Sequence, residues 1–382
     1  MVVGLYLHFA YCRTRCTYCD FNAYSEPDAV DEQRAYFEAL LEDVRRTGAE
    51  RAYTVRTLFC GGGTPSLTPA AWMGELLEAC RTSFQLDPQA EVTLEANPGT
   101  VDLAYLTALR QAGFNRLSLG VQSFQDELLQ RIGRIHSSAQ AAQALADART
   151  AGFDNVSLDL IYGLPGQSLA DFQADLERVG ELRPEHLSAY ALTVEPNTRL
   201  EAQIRLGEIA PPDPDLQADM ADLLPPFLRP LGYRRYEISN WARSGRACRH
   251  NLIYWRNRPY LGLGCGATSY IDGWRTRRIL HPRYYATALA QGRTPVIEHE
   301  RLGLEGTLKD VITLALRTRR GLDLDRLYRR YPVLPERVEG FLDGLPTGLV
   351  RRQGSRIRLT GRGRNLANVV FVELLDTLLT SG

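Results

Sequence analysis

Cys12, Cys16 and Cys19 stand four and three positions apart in the stretch CRTRCTYCDF, residues 12–21. The residues between them (Arg13, Thr14, Arg15 and Thr17 among them) are polar, which argues against an apolar stripe on a buried helix. A c-type haem attachment needs histidine directly after the second cysteine of a C-x-x-C pair, and Asp20 follows Cys19 instead. A dithiol redox pair of Cys16 and Cys19 leaves Cys12 without a role. A Cys3His zinc site would have to recruit His8. An iron–sulfur cluster suits soft thiolates better. Three thiolates from one loop hold three irons of a [4Fe–4S] cluster and leave the fourth iron open.

Such a loop needs a scaffold, and the chain supplies a repeating one. Short β-rich runs predict strands at 5–9, 56–60, 91–97, 116–122, 155–163 and 186–194. Helical patterns predict helices at 31–47, 69–83, 101–112, 137–151, 168–181 and near 215–231. Strand–helix alternation of this kind is the pattern of an α/β fold with a parallel sheet covered by helices. Six units fall short of a closed eight-unit barrel and suit an open, partial (βα)6 barrel of the TIM type. Chemistry in such folds gathers at the carboxyl ends of the strands. The first strand runs into the cysteines, and the next four end in GGGTPS (61–66), EANPG (95–99), GVQSF (120–124) and DLIYGLPGQ (159–167). Five polar or glycine-rich ends on one rim point to one shared site.

The expected division is a barrel over 1–232, extended segments completing it over 233–300, and a smaller domain over 301–382. YEISNWA (236–242), CRHNLIYW (248–255) and YLGLGCGATSYI (260–271) read as extended. GLGCGA (262–267) lacks the strand–turn–helix setting of a dinucleotide loop and is one position short of it. Its small residues predict close passage of the chain beside the cluster cavity. The last part predicts helices near 303–319, 323–331 and 335–343, a hairpin over 349–360 turning at Gln353–Gly354–Ser355, and a final helix, together a winged-helix-like domain.

The totals exclude several classes. Lys+Arg and Asp+Glu are 45 each over 382 residues, so no global charge argues for nucleic acid or an anionic membrane. RRQGSRIRLTGRGR (351–364) would make a basic wing, but nucleic acid is not expected as a partner. The positive charge is almost all arginine, with Lys309 the only lysine. No apolar run reaches the ~18 residues of a membrane span, and the opening MVVGLYLHFAYC does not read as a secretory signal. Seven cysteines, an odd number, favour reduced thiols and a metal site over disulfides. The expectation is a cytoplasmic protein, with Cys60, Cys80, Cys248 and Cys265 buried as small hydrophobes.

A C-x3-C-x2-C loop after a first barrel strand resembles the signature of radical S-adenosylmethionine (SAM) proteins. LYLHFAYC, CTYCDF, FCGGGTPS, LEANPG, RLSLGVQSF, GRIH, NVSLDLIYGLPGQ, HLSAYALT, YEISNWA, CRHNLIYW and YLGLGCGATS narrow the match. They are similar to the oxygen-independent coproporphyrinogen oxidase superfamily, and within it to the haem-chaperone branch. The resemblance implies that the amino and carboxylate groups of SAM chelate the open iron. One electron then cleaves SAM to a 5′-deoxyadenosyl radical. It implies cluster ligation by Cys12, Cys16 and Cys19, with Tyr6 and Tyr18 beside SAM and the cluster. It implies that the turn Gly61, Gly62 and Gly63 receives the SAM amino group, with Thr64 beside it. Glu95 is an acceptor suited to a ribose hydroxyl or an ammonium. Gln122 and Asp159 sit at equivalent strand ends, and Arg134 suits the SAM carboxylate. Ala10 departs from the family pattern, which has proline there.

Two functions then compete: an oxidase acting on coproporphyrinogen III, and a chaperone that binds haem and hands it to a respiratory protein. Either needs a reducing electron donor for the cluster. The oxidases carry a further cysteine where this chain has Phe21, and a longer segment before the cluster loop, where eleven residues precede Cys12. HNLIYW (250–255) matches the H-N-x-x-Y-W motif associated with haem binding in the chaperone branch. His250 is therefore the expected haem ligand, with Tyr254 and Trp255 against the porphyrin.

Overall fold

The run VVGLYLHF forms strand β1, Val2–Phe9, buried along nearly its whole length. Burial on both faces is the mark of a strand inside a parallel sheet covered by helices. Five more follow in the computed structural model, which describes residues 1–25, 30–332, 335–368 and 370–371. They are β2 (Thr54–Gly62), β3 (Gln85–Ala96), β4 (Arg116–Gln122), β5 (Val156–Tyr162) and β6 (His186–Ala191). Each pairs with the next in parallel register, so all six carboxyl ends share one rim. Helices Val30–Glu50, Ala70–Ser83, Leu103–Ala112, Ser138–Thr150, Leu169–Leu182 and Pro214–Leu228 lie close to the expected spans. Asp102 caps the third of these, and Ser137 and Ser168 make capping boxes on the next two.

The sheet stays open and is longer than six strands. A seventh parallel strand, Tyr260–Leu263, pairs with the free edge of β1. Antiparallel strands Thr268–Ile271, Trp274–Arg278 and Val296–Arg301 continue that side. Asn240–Ala242 and Arg234–Arg235 extend the other side beyond β6. CRHNLIYW is not extended throughout: Asn251–Trp255 is a short helix. Its first turn is held by Glu91, whose buried carboxylate accepts the backbone N–H groups of Arg249 and His250, each at 3.0 Å. A negative charge at a helix start is favourable, but its source lies about 160 residues upstream, out of reach of local pattern. Asp126–Arg131 and Arg199–Arg205 are short helices that the sequence reading does not anticipate.

Helices Leu304–Arg317, Leu324–Arg330 and Pro335–Gly344 pack with a three-stranded sheet of Leu322–Asp323, Val350–Gln353 and Arg356–Leu359. Leu308, Ile312, Leu327, Phe341 and Ile357 form its own apolar cluster, giving the winged-helix-like domain. The hairpin turns through Gly354, at φ 59°, as expected. The end of the expected final helix, beyond residue 371, lies outside the described residues. No helix among the described residues is long and apolar enough to cross a membrane.

One buried ion pair ties the added strands to the barrel. Arg278, on Trp274–Arg278, meets Asp43 of the first helix at 2.6 and 2.9 Å. The same carboxylate accepts the Tyr285 hydroxyl at 2.7 Å and the Gly264 amide at 3.3 Å. Both charged side chains are under a tenth exposed. Removing one partner of such a pair leaves the other charge buried, at a cost of roughly 3–5 kcal/mol. Asp43→Ala is expected to lose stability of that order in chemical denaturation, whereas Arg178→Ala, in a surface pair with Glu181, should change it little.

Candidate functional site

Residual exposure picks out the barrel lumen. Along β1 the interior run is buried except at Tyr6, and along the last half of β3 except at Glu95. On β4 the open positions are Gly120 and Gln122, and on β5 Asp159 and Tyr162. Glu95 Oε2 accepts the Gly62 amide at 3.2 Å. A Cβ on Gly61 would lie 2.8 Å from that oxygen, so glycine lets the second strand end approach the carboxylate. Burial, and then the charge of Asp159, pushes the Glu95 carboxyl up to about 7. Asp159 sits deeper, accepting Ser118 at 3.0 Å and Ser157 at 3.1 Å. Burial raises its pKa, and hydrogen bonds from Ser188, Ser118 and Ser157 oppose the rise.

The cysteine loop is fastened across the mouth of this lumen. The Gly63 and Thr64 amides donate to the Phe9 and Tyr11 carbonyls at 2.7 and 2.8 Å. The Thr64 hydroxyl donates to Cys12 Sγ at 3.2 Å. From the far side Arg134 donates to Cys16 Sγ at 3.4 Å and to the Gly120 carbonyl at 2.6 Å. Tyr18 lies half-buried between Cys16 and Cys19, in the fields of Arg134 and Cys16. Phe21 is 62% exposed just past Cys19.

The three loop thiols are half-buried and free, whereas Cys60, Cys80, Cys248 and Cys265 are fully buried. Burial pushes Cys80, Cys248 and Cys265 up to about 12, which suits inert small hydrophobes. Three accessible sulfurs with hydrogen-bond donors aimed at two of them fit a [4Fe–4S] cluster, whose potential such bonds tune. They do not fit the Cys3His zinc alternative. His8 Nε2 is 2.8 Å from the Asn22 carbonyl and Nδ1 is 3.0 Å from the Tyr6 hydroxyl. The carbonyl only accepts, so Nε2 carries the hydrogen and Nδ1 accepts, and both nitrogens are committed. Among the described residues no three His, Cys, Asp or Glu side chains are set to hold a single metal ion.

His250 lies elsewhere. It sits under the barrel interior beside Gly4 and Thr57, which pair near the amino ends of β1 and β2. Nδ1 is 2.8 Å from the Thr57 hydroxyl, Nε2 is 2.9 Å from the Tyr254 hydroxyl, and the ring stacks on Phe59. Burial, and then the charge of Arg116, pushes its pKa down to about 3. As folded, neither nitrogen offers a lone pair to a haem iron. GLGCGA makes no phosphate loop: Gly264 and Gly266 let the chain pass against His8 and Asn22, next to the cysteine loop.

Sequence reasoning missed several contributors. Glu91 holds the 249–255 turn. Ser118, Ser157 and Ser188 cradle Asp159, and β-strand serines carry no motif. His136, quoted in GRIH without a role, links Asn97 of EANPG to the Val121 carbonyl at 3.1 Å each. It braces the segment that presents Arg134.

A parallel, open barrel with three loop thiols at its carboxyl rim is the arrangement of radical SAM proteins, and residues 6–179 match the Radical SAM superfamily. Haem chaperone HemW of Mycobacterium tuberculosis H37Rv is 41% identical, covering 97% of this chain and 94% of that protein. Haem chaperone HemW of Bacillus subtilis 168 is 34% identical, covering 98% and 99%. Among solved structures, coproporphyrinogen III oxidase HemN from Escherichia coli aligns with a TM-score of 0.84 at 25% identity, covering 99% and 90%. The chain belongs to the haem chaperone HemW family of radical SAM proteins.

The raised Glu95 pKa has a measurable sign. A carboxyl that holds its proton more tightly when folded adds stability at low pH and loses it as pH rises through about 4.5 to 7. SAM-free protein is expected to lose thermal stability across that window more than Glu95→Gln, which has no proton to lose. Parallel melting curves for the two would show that Glu95 is not the group responsible.

Proposed function

We propose that this chain is a haem carrier built on a radical SAM scaffold, which binds haem and passes it to an acceptor protein. The observation that carries this reading is the end-to-end relation to haem chaperones, at 41% identity over 97% of the chain. Phe21, where the oxidases place a further cysteine, supports the same choice. The acceptor is taken to be a respiratory haem protein, the setting the cytoplasm, and the reductant an electron donor that docks near the cluster loop.

Cys12, Cys16 and Cys19 hold the [4Fe–4S] cluster in this reading. When bound, it supplies the single electron that reductive cleavage of SAM needs. The residues around it divide by depth. Tyr18 and Thr64 flank the sulfurs. The Gly62–Gly63 backbone and Glu95 face one side of the lumen mouth, suited to the SAM ammonium and ribose hydroxyls. Arg134 and Gln122 face the other, suited to its carboxylate. Tyr6 and Asp159 form the floor. Ligation of haem by His250 would require the ring to leave Thr57, Tyr254 and Phe59; as folded, it secures the motif to the barrel.

The test is one anaerobically reconstituted sample under reducing conditions, titrated with haem and then assayed on coproporphyrinogen III with SAM supplied. A saturable Soret shift at one haem per chain with no oxidative decarboxylation is expected. The absence of any saturable shift overturns the carrier reading, and turnover of coproporphyrinogen III establishes the oxidase instead. A second test reads the SAM residues. A donor from SAM favours ionised Glu95, so binding near pH 6.5 should release a fraction of a proton. Calorimetry in two buffers of different ionisation enthalpy detects the release. It should vanish in Glu95→Gln, and its persistence there would remove Glu95 from the SAM site.

A further inference from the structure

A concentration of uncompensated positive charge lies away from the cysteine loop. A cleft of about 690 Å³ opens between the barrel edge and the winged-helix-like domain. Eleven arginines line it against a single carboxylate, Asp323. That carboxylate is already engaged, bridging to Arg356 at 2.8 Å and capping the Arg326 amide at 3.0 Å. Among the described residues Arg256, Arg258, Arg320 and Arg326 make no ion pair. They repel one another: burial, and then Arg320, Arg258 and Arg326, lowers the Arg256 pKa. Burial, and then Arg364, pushes Arg235 down to about 10. A solvated basic face would spread such charges over open surface. Here they converge on one concavity in a chain with no net charge, an arrangement that destabilises the fold until an anion enters.

The cleft is not uniformly polar. Trp255, the last residue of HNLIYW, forms part of one wall with Leu252, Val311, Ala315 and Leu327. The Arg317 guanidinium covers the Trp255 ring at 4.7 Å. Trp255 is set there by the buried half of its own motif, through the His250–Tyr254 bond and the Glu91 carboxylate. The volume falls in the ordinary range for pockets that enclose a small ligand, about 300–1,000 Å³. The lining contains no histidine, cysteine or methionine.

We infer that this cleft is the haem seat, with Arg256, Arg258, Arg320 and Arg326 taking the propionates and the Trp255 wall taking the macrocycle, and with no histidine bound to the iron. The inference rests on the haem-carrier reading and deepens it. Guanidinium forks match carboxylates in a bidentate way, and a flat apolar body with two carboxylates matches a wall of aromatic and aliphatic groups ringed by arginine. Holding haem by its edges suits a carrier, because release then requires no iron–nitrogen bond to break.

The experiment titrates the full-length, cluster-loaded chain with haem, with metal-free protoporphyrin IX, and with protoporphyrin IX dimethyl ester. Wild type and Arg256→Gln/Arg320→Gln are compared. Haem and the metal-free porphyrin should bind wild type within a few-fold of each other. The double variant should weaken both at least tenfold, and the ester, which lacks propionate charge, should bind both proteins equally weakly. The double variant should melt no lower than wild type, since it relieves repulsion, so a loss of binding is not a loss of fold. Unchanged haem affinity in the double variant overturns the inference. So does a metal-free porphyrin that fails to bind while haem binding is abolished by His250→Ala; either result leaves the carrier reading standing and moves the site. A single-stranded oligonucleotide bound by wild type and lost in the double variant, with haem binding intact, assigns the cleft to nucleic acid instead. No saturable haem binding by wild type defeats both the inference and the carrier reading.

Discussion

The site depends on a contact that leaves no room for a side chain. The His8 ring lies where a Cβ on Gly62 would be, 2.5 Å away, and Gly62 is held at φ 110°. His8 is on β1 and Gly62 ends β2, so this contact sets how closely the first two strand ends approach. The ring is also a tie rod. One nitrogen binds Tyr6 in the lumen and the other binds the Asn22 carbonyl, where the chain leaves the cysteine loop. Asn22 in turn donates to the Cys265 and Leu280 carbonyls at 3.2 and 2.9 Å. Burial lowers the pKa of this imidazole, which favours the neutral ring that accepts from Tyr6. The three sulfurs are thereby presented by a loop anchored at both ends, which suits a cluster that must keep one iron clear for a ligand.

Charge is sorted rather than absent. The net charge is zero, yet the lumen carries Glu95 and Asp159 while the cleft beside Trp255 carries almost only arginine. Each set is held against electrostatic preference by burial and by neighbours of like sign, and each therefore favours a ligand of opposite charge. The lumen favours a cationic sulfonium cofactor with an ammonium group. The cleft favours a dicarboxylate. Arg116 is fully buried with Glu91 and Asp159 in its field, and with the serine hydroxyls around Asp159 it favours the ionised carboxylates inside the barrel.

Much of the scaffold was legible because it is periodic. β4 runs over the expected 116–122, and α/β alternation with polar strand ends located the rim correctly. The three cysteines and GGGT were legible because their spacing is their chemistry. What could not be read is non-local. Tyr260–Leu263 looks like any short apolar run, and its parallel pairing with β1 joins residues about 256 apart. The helix Asn251–Trp255 owes its start to Glu91. His250 drew a ligand role from its motif, but its surroundings come from β2 and β3, which no local pattern around 250 contains. The arginines of the cleft are scattered from 234 to 358, and only folding makes them a cluster.

The two sites lie at opposite ends of the barrel strands. The cysteine loop follows Phe9 at the carboxyl end of β1, while His250, behind the cleft wall, abuts Gly4 and Thr57 near the amino ends. Gly4 and Phe9 stand five positions apart on the strand, about 16 Å at the usual rise. A radical formed from SAM at the cluster would act only on atoms within contact distance, so a porphyrin seated beside Trp255, at the other end of the Tyr6–Phe59–His250 stack, would stand apart from it. An oxidase must bring porphyrin propionates to the radical; a carrier has reason to keep them apart. The packed rings of Tyr6, Phe59 and His250 fill the space between the lumen and the turn that carries Trp255. On this geometry the scaffold of a radical enzyme is compatible with a cargo held away from the cluster rather than attacked by it.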